Sequence, residues 1–546
     1  MKNHILLLLA FLFSSTMLHA QVKGKIIEIS EKGDTSLVPG AIVYWQNSSI
    51  SAQTDANGDF QIKKEPSTNR LIIRAIGYAN DTLIIKEVNR YLLIALKNNA
   101  GLNEVEVIYY SNGTEISYLN PIKVEVLNER SLMKAACCNL SESFETNPSI
   151  DVNFADAISG TKQIQMLGLS GQYAQITKEN MPYLRGLANN YGLSFVPGTW
   201  IQSIQLSKGA GSVINGYESF TGQINTELQN PQQSDKLNFN TYANENGRNE
   251  YNLNLSHRIN EKFSTALLSH FSANPLVQDH NGDGFADIPI GKQYNIMNKY
   301  AYSHKGFEAQ FGGAYLSDNR EGGQFKSLRQ PAQDSLLYYK TFIRNKKWEV
   351  YSKTGYVFRK KPGTSMGLQL SYLNHDQNNT YGPNFYSGLQ KTFYANFIYQ
   401  GIIGSTNNAY KIGLSLMNDN VQESFTNMVA NTITNNNNFS YQRNETVGGT
   451  FVEFAHNYKE KFNVVAGIRA DYHNYYGWFA TPRLHLRYAF SNKSILRLSG
   501  GRALRTANIF TDNSALMATA RSWQIESNAV KIPKHSVILY LCDIDK

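Results

Sequence analysis

Apolar and polar side chains alternate along three consecutive segments between residues 461 and 505. In the first segment one parity holds Phe462, Val464, Ala466, Ile468, Ala470 and Tyr472, and the other holds Asn463, Gly467, Arg469, Asp471 and His473. Successive side chains of a β-strand point to opposite faces of its sheet, so each segment predicts a strand with one apolar and one polar face. Long cations on the polar face favour a watery lumen over the interior of a soluble sandwich. The pattern predicts antiparallel strands whose apolar face contacts lipid.

The composition agrees with membrane strands rather than membrane helices. Of the 546 residues, 42% are hydrophobic and 12% aromatic, with 33 tyrosines, and the mean hydropathy is -0.38. Beyond the N-terminal leader no apolar run reaches the roughly 18 residues of a transmembrane helix, whereas a barrel strand needs only about 9 to 11. Abundant tyrosine is typical of the aromatic girdles of membrane barrels. The sequence therefore predicts a mainly β protein.

Residues 1–20 have the form of a secretory signal peptide. Lys2 precedes an apolar core over residues 5–13, and Ala20 precedes Gln21. This core is too short to cross a bilayer, which counts against the alternative of an uncleaved anchor, and cleavage is expected after Ala20. Export combined with barrel strands predicts that the protein lies in the outer membrane of a Gram-negative bacterium.

The net charge of +9 does not indicate a nucleic-acid partner. The Lys and Arg residues are scattered among turns and polar strand positions and form no compact stripe. A basic lumen would favour an anionic ligand, and general solvation is the alternative. We therefore expect no binding of nucleic acid.

Residues 21–98 contain short strand-like runs separated by turn residues, which predicts a small β-sandwich. Its segments PGAIVYWQ, TDANGDFQI and IRAIGY resemble the carboxypeptidase regulatory-like domain, a transthyretin-like sandwich. The positions that carry the resemblance are Pro39, Gly40, Asp55, Gly58, Phe60, Gly77 and Tyr78. The resemblance implies no peptidase activity, and no HExxH motif is present.

Residues 115–230 resemble the α/β plug domain of TonB-dependent receptors, in the type found in Bacteroidetes. The opening SLMKAACCNLSESFETNPSIDV resembles the first plug helix and its loop, and QIQMLGLSG has Leu167 where the family usually has an arginine. Glu179 and Asn180 replace the family's usual Asp-Gly before a proline. In the last plug segment the matching positions are Ile201, Ile204, Lys208, Gly209, Gly216, Gly222, Ile224 and Asn225.

The connector over residues 99–114 contains the segment GLNEVEVIYY just before the plug. In the family this place belongs to the TonB box, and the resemblance assigns it to Glu104, Val105, Glu106, Val107 and Ile108. TonB, working with ExbB and ExbD, would add to this segment as a neighbouring strand. An ordinary linker strand is the alternative.

Residues 231–525 are predicted to form a transmembrane antiparallel β-barrel. Short turns such as 259–262 alternate with long polar connections over 273–292, 317–334 and 417–439, which predicts periplasmic turns and extracellular loops. About a dozen strands fit before Arg505, against the 22 of plugged transporters. Residues 526–546 show no barrel-like continuation. The sequence thus predicts an incomplete barrel with an aberrant tail, from a truncated chain.

A calcium-like motif lies in the first long connection. Its oxygen ligands would be Asp279, Asn281, Asp283 and Asp287, and Gly284 would allow the sharp bend. The final bidentate position falls on Ile290, which cannot coordinate. Two interpretations are open: a weak calcium site and a polar extracellular turn.

Other candidate chemistry is sparse. Cys137 and Cys138 are adjacent, and burial or redox lability is preferred to a soft-metal site such as one for copper. Arg469, Arg483, Arg487 and Arg497 predict a lumenal ladder that contacts the plug or an anionic ligand. The sequence has no GxSxG, Walker or paired-histidine zinc motif, so no enzymatic activity is predicted.

The family resemblance implies an outer-membrane receptor that binds and imports a scarce nutrient. A metal chelate such as a ferric siderophore is the leading ligand. Cobalamin, a free metal and an oligomeric nutrient are alternatives, as is a surface-binding or adhesin barrel that transports nothing.

Overall fold

The computed structural model describes most of the chain after the leader. It covers residues 21–545 except 30–34, 47, 49, 66–67, 76–77, 79–80, 86–90, 97–113, 117–123, 129–131, 133–137, 146, 156–158, 326–337, 429–437, 459–460, 492–493 and 519–533. The chain divides into two compact units, which meet in sequence near residue 109. Within the described residues no helix is long and apolar enough to cross a membrane.

The N-terminal unit is a β-sandwich with a single apolar core. Its strands are β1 (Gln21–Ile29), β2 (Thr35–Leu37), β3 (Ile42–Trp45), β4 (Ser51–Gln53), β5 (Asp59–Lys63), β6 (Arg70–Arg74), β7 (Asp81–Ile84) and β8 (Leu92–Leu96). One sheet has the order β2-β1-β5 with β8 parallel to β1, and the other has the order β4-β3-β6-β7. Trp45 is fully buried between them, and its Nε1 donates to the Lys63 carbonyl at 2.8 Å.

The plug is built on a six-stranded sheet and a small three-stranded sheet. Its strands are β9 (Thr114–Ile116), β10 (Val124–Asn128), β11 (Asp151–Phe154), β12 (Lys162–Met166), β13 (Leu169–Ser170), β14 (Ala174–Lys178), β15 (Met181–Pro182), β16 (Ile201–Lys208) and β17 (Gly222–Leu228). Its helical elements are the short helix α1 (Ala188–Tyr191) and 3-10 turns at Glu142–Phe144, Gly171–Tyr173, Gly192–Phe195, Gly198–Trp200 and Val213–Asn215. The larger sheet has the order β15-β14-β17-β16-β10-β9, and β11, β12 and β13 form the smaller one.

The two places where the plug departs from its family's sequence pattern are tight turns. Glu179 and Asn180 join β14 to β15 with φ angles of 56° and 61°. Leu167 has φ 54° in the turn between β12 and β13, followed by Gly168 at 75°. A left-handed backbone is uncommon for residues other than glycine, and the buried Glu179, unlike the exposed Leu167, is held there by its surroundings.

Fourteen strands in chain order form the large antiparallel sheet. They are β18 (Leu237–Ala243), β19 (Asn249–Arg258), β20 (Phe263–Asn274), β21 (Ile290–His304), β22 (Phe307–Gly323), β23 (Lys340–Val357), β24 (Ser365–Tyr381), β25 (Asn384–Ile403), β26 (Ser405–Thr426), β27 (Asn438–Tyr458), β28 (Phe462–His473), β29 (Gly477–Ser491), β30 (Ser494–Thr506) and β31 (Lys534–Asp545). A 3-10 segment, Thr511–Ala518, follows β30. Among the described residues β18 and β31 are not paired with each other, so the sheet is an open form of the predicted barrel.

The predicted parity of the strands is confirmed. On β28 the polar residues Arg469, Asp471 and His473 are buried on the plug side, while Ile468 and Tyr472 are about half exposed on the outside. The apolar face of the sheet therefore points outward.

The strands are longer than the sequence predicted. β22 ends at Gly323 and β26 at Thr426, inside segments that were expected to be loops. Polar residues occupy both faces there, so the apolar alternation that marks a strand is missing. The long connections still lie at one end of the sheet, called here the long-loop end.

The expectation that no barrel-like strand follows residue 526 is wrong for residues 534–545. They form β31, which pairs with β30 from Ile495 opposite Asp545 to Thr506 opposite Lys534. The apolar run over 537–542 has no alternation, and periodicity alone therefore gave no strand.

Candidate functional site

The plug packs against the inner face of the sheet through one continuous apolar core. Plug residues Phe144, Ile164 and Trp200 belong to the same buried cluster as Leu268 and Phe479 of the sheet. The plug and the sheet are therefore packed together, and polar contacts at several places add specific links.

The first link is a buried ion cluster around Arg185, which follows β15. Its guanidinium donates to Asp419 on β26 at 3.1 Å and also pairs with Glu445 on β27 and Glu218 of the plug. Arg443 reaches the same Asp419 oxygen at 3.3 Å. These five side chains, called the Arg185 cluster, join two barrel strands to the plug.

Two further side chains contact the Arg185 cluster. The Tyr217 hydroxyl of the plug donates to Glu445 at 3.1 Å, and His473 Nε2 lies 3.4 Å from the same carboxylate. Breaking a buried ion pair by removing one partner strands a charge, which costs about 3–5 kcal/mol. The cluster therefore fixes the rotational position of the plug against the wall.

The second link is the Glu179 turn, which carries two charged residues to the wall. Glu179 accepts from Lys299 at 2.9 Å and from Lys353 at 2.7 Å, and the adjacent Lys178 pairs with Glu349. Burial opposes ionisation of Glu179, but the attraction of the two lysines outweighs it and lowers the pKa of this carboxyl to about 2. The Glu179 carboxylate is therefore ionised at neutral pH, and its lysine partners hold the turn against the wall.

The third link clamps the backbone of the plug loop over residues 211–216. Arg483 donates to the carbonyls of Gly211, Ser212 and Gly216 at 3.0, 2.6 and 3.0 Å. Arg469 donates to the Val213 carbonyl at 3.4 Å. These two members of the predicted arginine ladder thus contact the plug, as the sequence suggested.

The other two members of that ladder lie apart from this loop. Arg487 and Arg497 are buried and face each other directly across β29 and β30. Contact of the ladder with an anionic ligand stays a prediction.

A cavity of about 550 Å³ lies between the plug and the long-loop end of β19 to β22. It is called the charged chamber, because four cations and four acids line it: Lys162, Arg248, Lys292, Arg320, Glu142, Glu250, Asp287 and Asp318. Arg248 bridges the plug and the wall, since it donates to Glu142 at 2.7 Å and to Glu250 at 2.6 Å. Arg320 donates to Asp318 at 3.1 Å and to Ser194 of the plug at 2.5 Å. A charged ligand would meet paired groups of both signs here.

Cys138 is buried in the wall of the charged chamber, and Cys137 lies outside the described residues. Burial raises the pKa of the Cys138 thiol well above its usual range. Metals bind the thiolate, so a neutral buried thiol agrees with the structural interpretation of this cysteine. Across the part of the chain that the structure describes, no three His, Cys, Asp or Glu side chains are arranged to hold a metal ion.

The predicted calcium motif forms a compact loop whose oxygens accept from its own backbone. Asp279 accepts from the amides of Gly282, Asp283 and Gly284 at 2.8, 3.1 and 2.9 Å. The side chain of Asn281 donates to Asp283 at 3.0 Å. Asp287 instead accepts from His280, from the amide at 2.9 Å and from the ring at 2.6 Å. Calcium binding at this loop stays a prediction.

The predicted TonB box, residues 104–108, lies outside the described residues. The assignment of the TonB box therefore rests on the position of this segment in the sequence, just before the plug.

The sequence analysis missed the Arg185 cluster and the charged chamber. Glu445 is an acid on the inward parity of a barrel strand, which is a signal that was present, whereas Asp419 falls in the segment 417–439 that was expected to be a loop. Arg185 lies in a stretch without periodicity, directly before Gly186, and gave no signal of its own.

A plug domain packed on the inner face of a large antiparallel sheet defines the class of plugged barrel receptors. Residues 22–107 match the family model for the CarboxypepD_reg-like domain, and residues 118–223 match the model for the TonB-dependent Receptor Plug Domain. The chain therefore carries both domains and has the fold of TonB-dependent receptors. No curated protein sequence matches it.

Solved structures with this fold are distant in sequence. P. aeruginosa FpvA, in a complex with a heterologous ferric pyoverdine, is 13% identical, with 76% of this chain and 62% of that chain covered and a TM-score of 0.60. The alcaligin outer membrane receptor FauA from Bordetella pertussis is 12% identical, with coverages of 71% and 64% and a TM-score of 0.55. The copper transporter OprC is 12% identical, with coverages of 70% and 64% and a TM-score of 0.56. The chain spans less than two thirds of the length of each.

Proposed function

We propose that this protein is a TonB-dependent outer-membrane receptor that binds and imports a scarce nutrient. The observation that supports this most directly is the polar attachment of the plug through Arg185 to Asp419 and Glu445. Charged groups regain hydration when they separate. A plug attached by ion pairs therefore exposes charged as well as apolar surface to water when it shifts. Such an attachment suits a plug that moves during transport.

The leading ligand is a metal chelate such as a ferric siderophore. The charged chamber supports this choice, because Arg248 and Arg320 on its walls are paired with acids and a charged chelate could exchange those partners. The volume of about 550 Å³ lies within the ~300–1,000 Å³ range of pockets for small molecules. FpvA is described in a complex with a pyoverdine and iron, and FauA as the alcaligin receptor, which adds support by analogy of fold.

Energy would reach the plug from the periplasm. TonB, with ExbB and ExbD, pairs with Glu104 to Ile108 as an added strand and pulls on the chain ahead of the plug. The outward apolar face of the sheet contacts outer-membrane lipid in this proposal.

The test is uptake of radiolabelled ferric siderophores by a Gram-negative host that displays the protein. Val105→Pro removes a backbone donor from the predicted TonB strand, so we expect uptake to be lost while surface binding is retained. Val105→Ala keeps the donor and serves as the matched control. Uptake by Val105→Pro at the unmodified rate would remove the TonB assignment, and absence of surface binding for every chelate would remove the ligand class.

A further inference from the structure

After β30 the chain folds inward over the plug. Phe510 is fully buried, with ring centroids 6.1 Å from those of both Tyr386 and Phe425. Asn384 donates to the Met517 carbonyl at 2.9 Å, and the Tyr339 hydroxyl donates to the Ala518 carbonyl at 3.2 Å. Residues 507–518, called the strap, therefore run from β30 to the long-loop ends of β25 and β26.

A cavity of about 210 Å³ lies beneath the strap, with the plug as its floor. Side-chain amides and hydroxyls line it: Gln163, Gln172, Asn189, Asn190, Ser170 and Ser514. Each of these groups both donates and accepts hydrogen bonds. The cavity is thus matched to a ligand whose groups also do both, as hydroxyl groups do.

The lining that the structure describes offers no unengaged counter-charge to an ionic ligand. Among the described residues no Lys, Arg or His lines the cavity, and its one acid, Asp512, already accepts from Arg505 at 2.5 Å and from the Asn508 amide at 2.8 Å. Apolar side chains of Ile164 and Leu184 complete the floor and suit C–H surface. An ion buried here would lose hydration without a charged partner, which is costly.

The cavity and the charged chamber are lined by neighbouring residues of one plug strand. Lys162 lines the chamber, and the next two residues of β12, Gln163 and Ile164, line the cavity. The plug therefore presents two surfaces of different chemistry at its long-loop end.

We propose that the cavity beneath the strap is a binding site for an uncharged, hydroxyl-rich molecule of about the size of a monosaccharide. Its volume lies below the ~300–1,000 Å³ of pockets for drug-sized ligands, which sets the small size. The strap forms the roof, so a bound molecule covers the inner side of Ser514. This proposal rests on the proposed function only for the direction in which the site faces, which is outward from the cell. Binding is measurable in detergent without transport.

The test places a single reporter thiol in the strap. The three native cysteines are first changed to serine, and Ser514→Cys is then labelled with a maleimide in the presence of glucose. Glucose at about ten times its dissociation constant should slow labelling about tenfold, since only the free site reacts. Gluconate and glucosamine, the anionic and cationic counterparts, should give no protection at the same concentration.

Two further variants separate binding from damage to the fold. Val277→Cys, in an exposed connection outside the cavity, should be labelled at one rate with and without glucose. Asn190→Leu should abolish protection of the strap thiol while the Val277→Cys rate stays unchanged. Absence of protection by glucose, or equal protection by all three compounds, would overturn the site. Loss of the site with Val105-dependent uptake intact would leave the proposed function standing.

Discussion

The Arg185 guanidinium of the plug donates to the Asp419 carboxylate of strand β26 across 3.1 Å, and Asp419 is fully buried. Arg443 of the neighbouring strand reaches the same oxygen at 3.3 Å. One wall carboxylate is therefore shared by a cation of the plug and a cation of the wall. If the plug were to move away, Arg443 would stay beside Asp419, and the wall acid would keep a partner.

Arg185→Leu tests how much this link stabilises the attachment of the plug. The change leaves Glu218 without its cation and Glu445 with one fewer, so we expect the plug to loosen by about 3–5 kcal/mol. The measurement is the urea midpoint for protease cleavage within the plug. Lys162→Met is the control, because its partner Glu145 is about half exposed and such pairs contribute only about 0–1 kcal/mol. Equal midpoints for the two variants would contradict the assigned role.

The ionisation of Glu179 predicts that the attachment of the plug to the wall depends on pH. Its pKa is about 2 against an ordinary 4.5, so its stabilising contribution is complete above about pH 4.5 and is lost as the pH falls toward 2. We expect protease access to the plug to rise across this window, and Glu179→Gln to remove that part of the pH dependence while weakening attachment at pH 7. Glu227→Gln, whose partners Ser203 and Gln205 are neutral, is the control.

Calcium at the 279–287 loop would have to compete with the loop's own amides for Asp279. This competition and the missing final carboxylate favour affinity in the millimolar range, about 10⁻⁴–10⁻³ M. Calcium, and not magnesium, should slow chymotrypsin cleavage at Phe285, and Asp283→Ala should cancel the effect. Equal cleavage rates in calcium and in chelator would identify the loop as a polar turn.

Side-chain alternation was enough to predict which residues face the plug. Arg469 and Arg483 lie on the polar parity of their strands, and both contact the loop over 211–216. Period-2 alternation is a local property, so a single sequence displays it. The same rule failed for residues 534–545, where apolar residues occupy both parities.

The partners of those inward residues could not be predicted in the same way. Whether Asp419 meets Arg185 depends on the height and rotation of the plug inside the sheet. That placement is decided by packing between residues more than 230 positions apart in the chain. The charged chamber and the strap cavity arise from the same long-range packing. Sequence reasoning therefore found the lumen face and missed its pairings.

Gly467 on β28 tests how closely the plug loop must approach the wall. A Cβ at this position would lie 2.8 Å from Val213 Cγ2, and Val213 is fully buried and β-branched, so it has little room to turn away. We expect Gly467→Ala to displace the clamped loop and destabilise the protein by about 1–3 kcal/mol, as overpacking does. Gly448 on β27 is the matched control, because a Cβ there would meet nothing within 4 Å. The measurement is the thermal midpoint together with protease cleavage in the 211–216 loop, and a Gly467→Ala protein as stable and resistant as Gly448→Ala would show that the loop does not need this close contact.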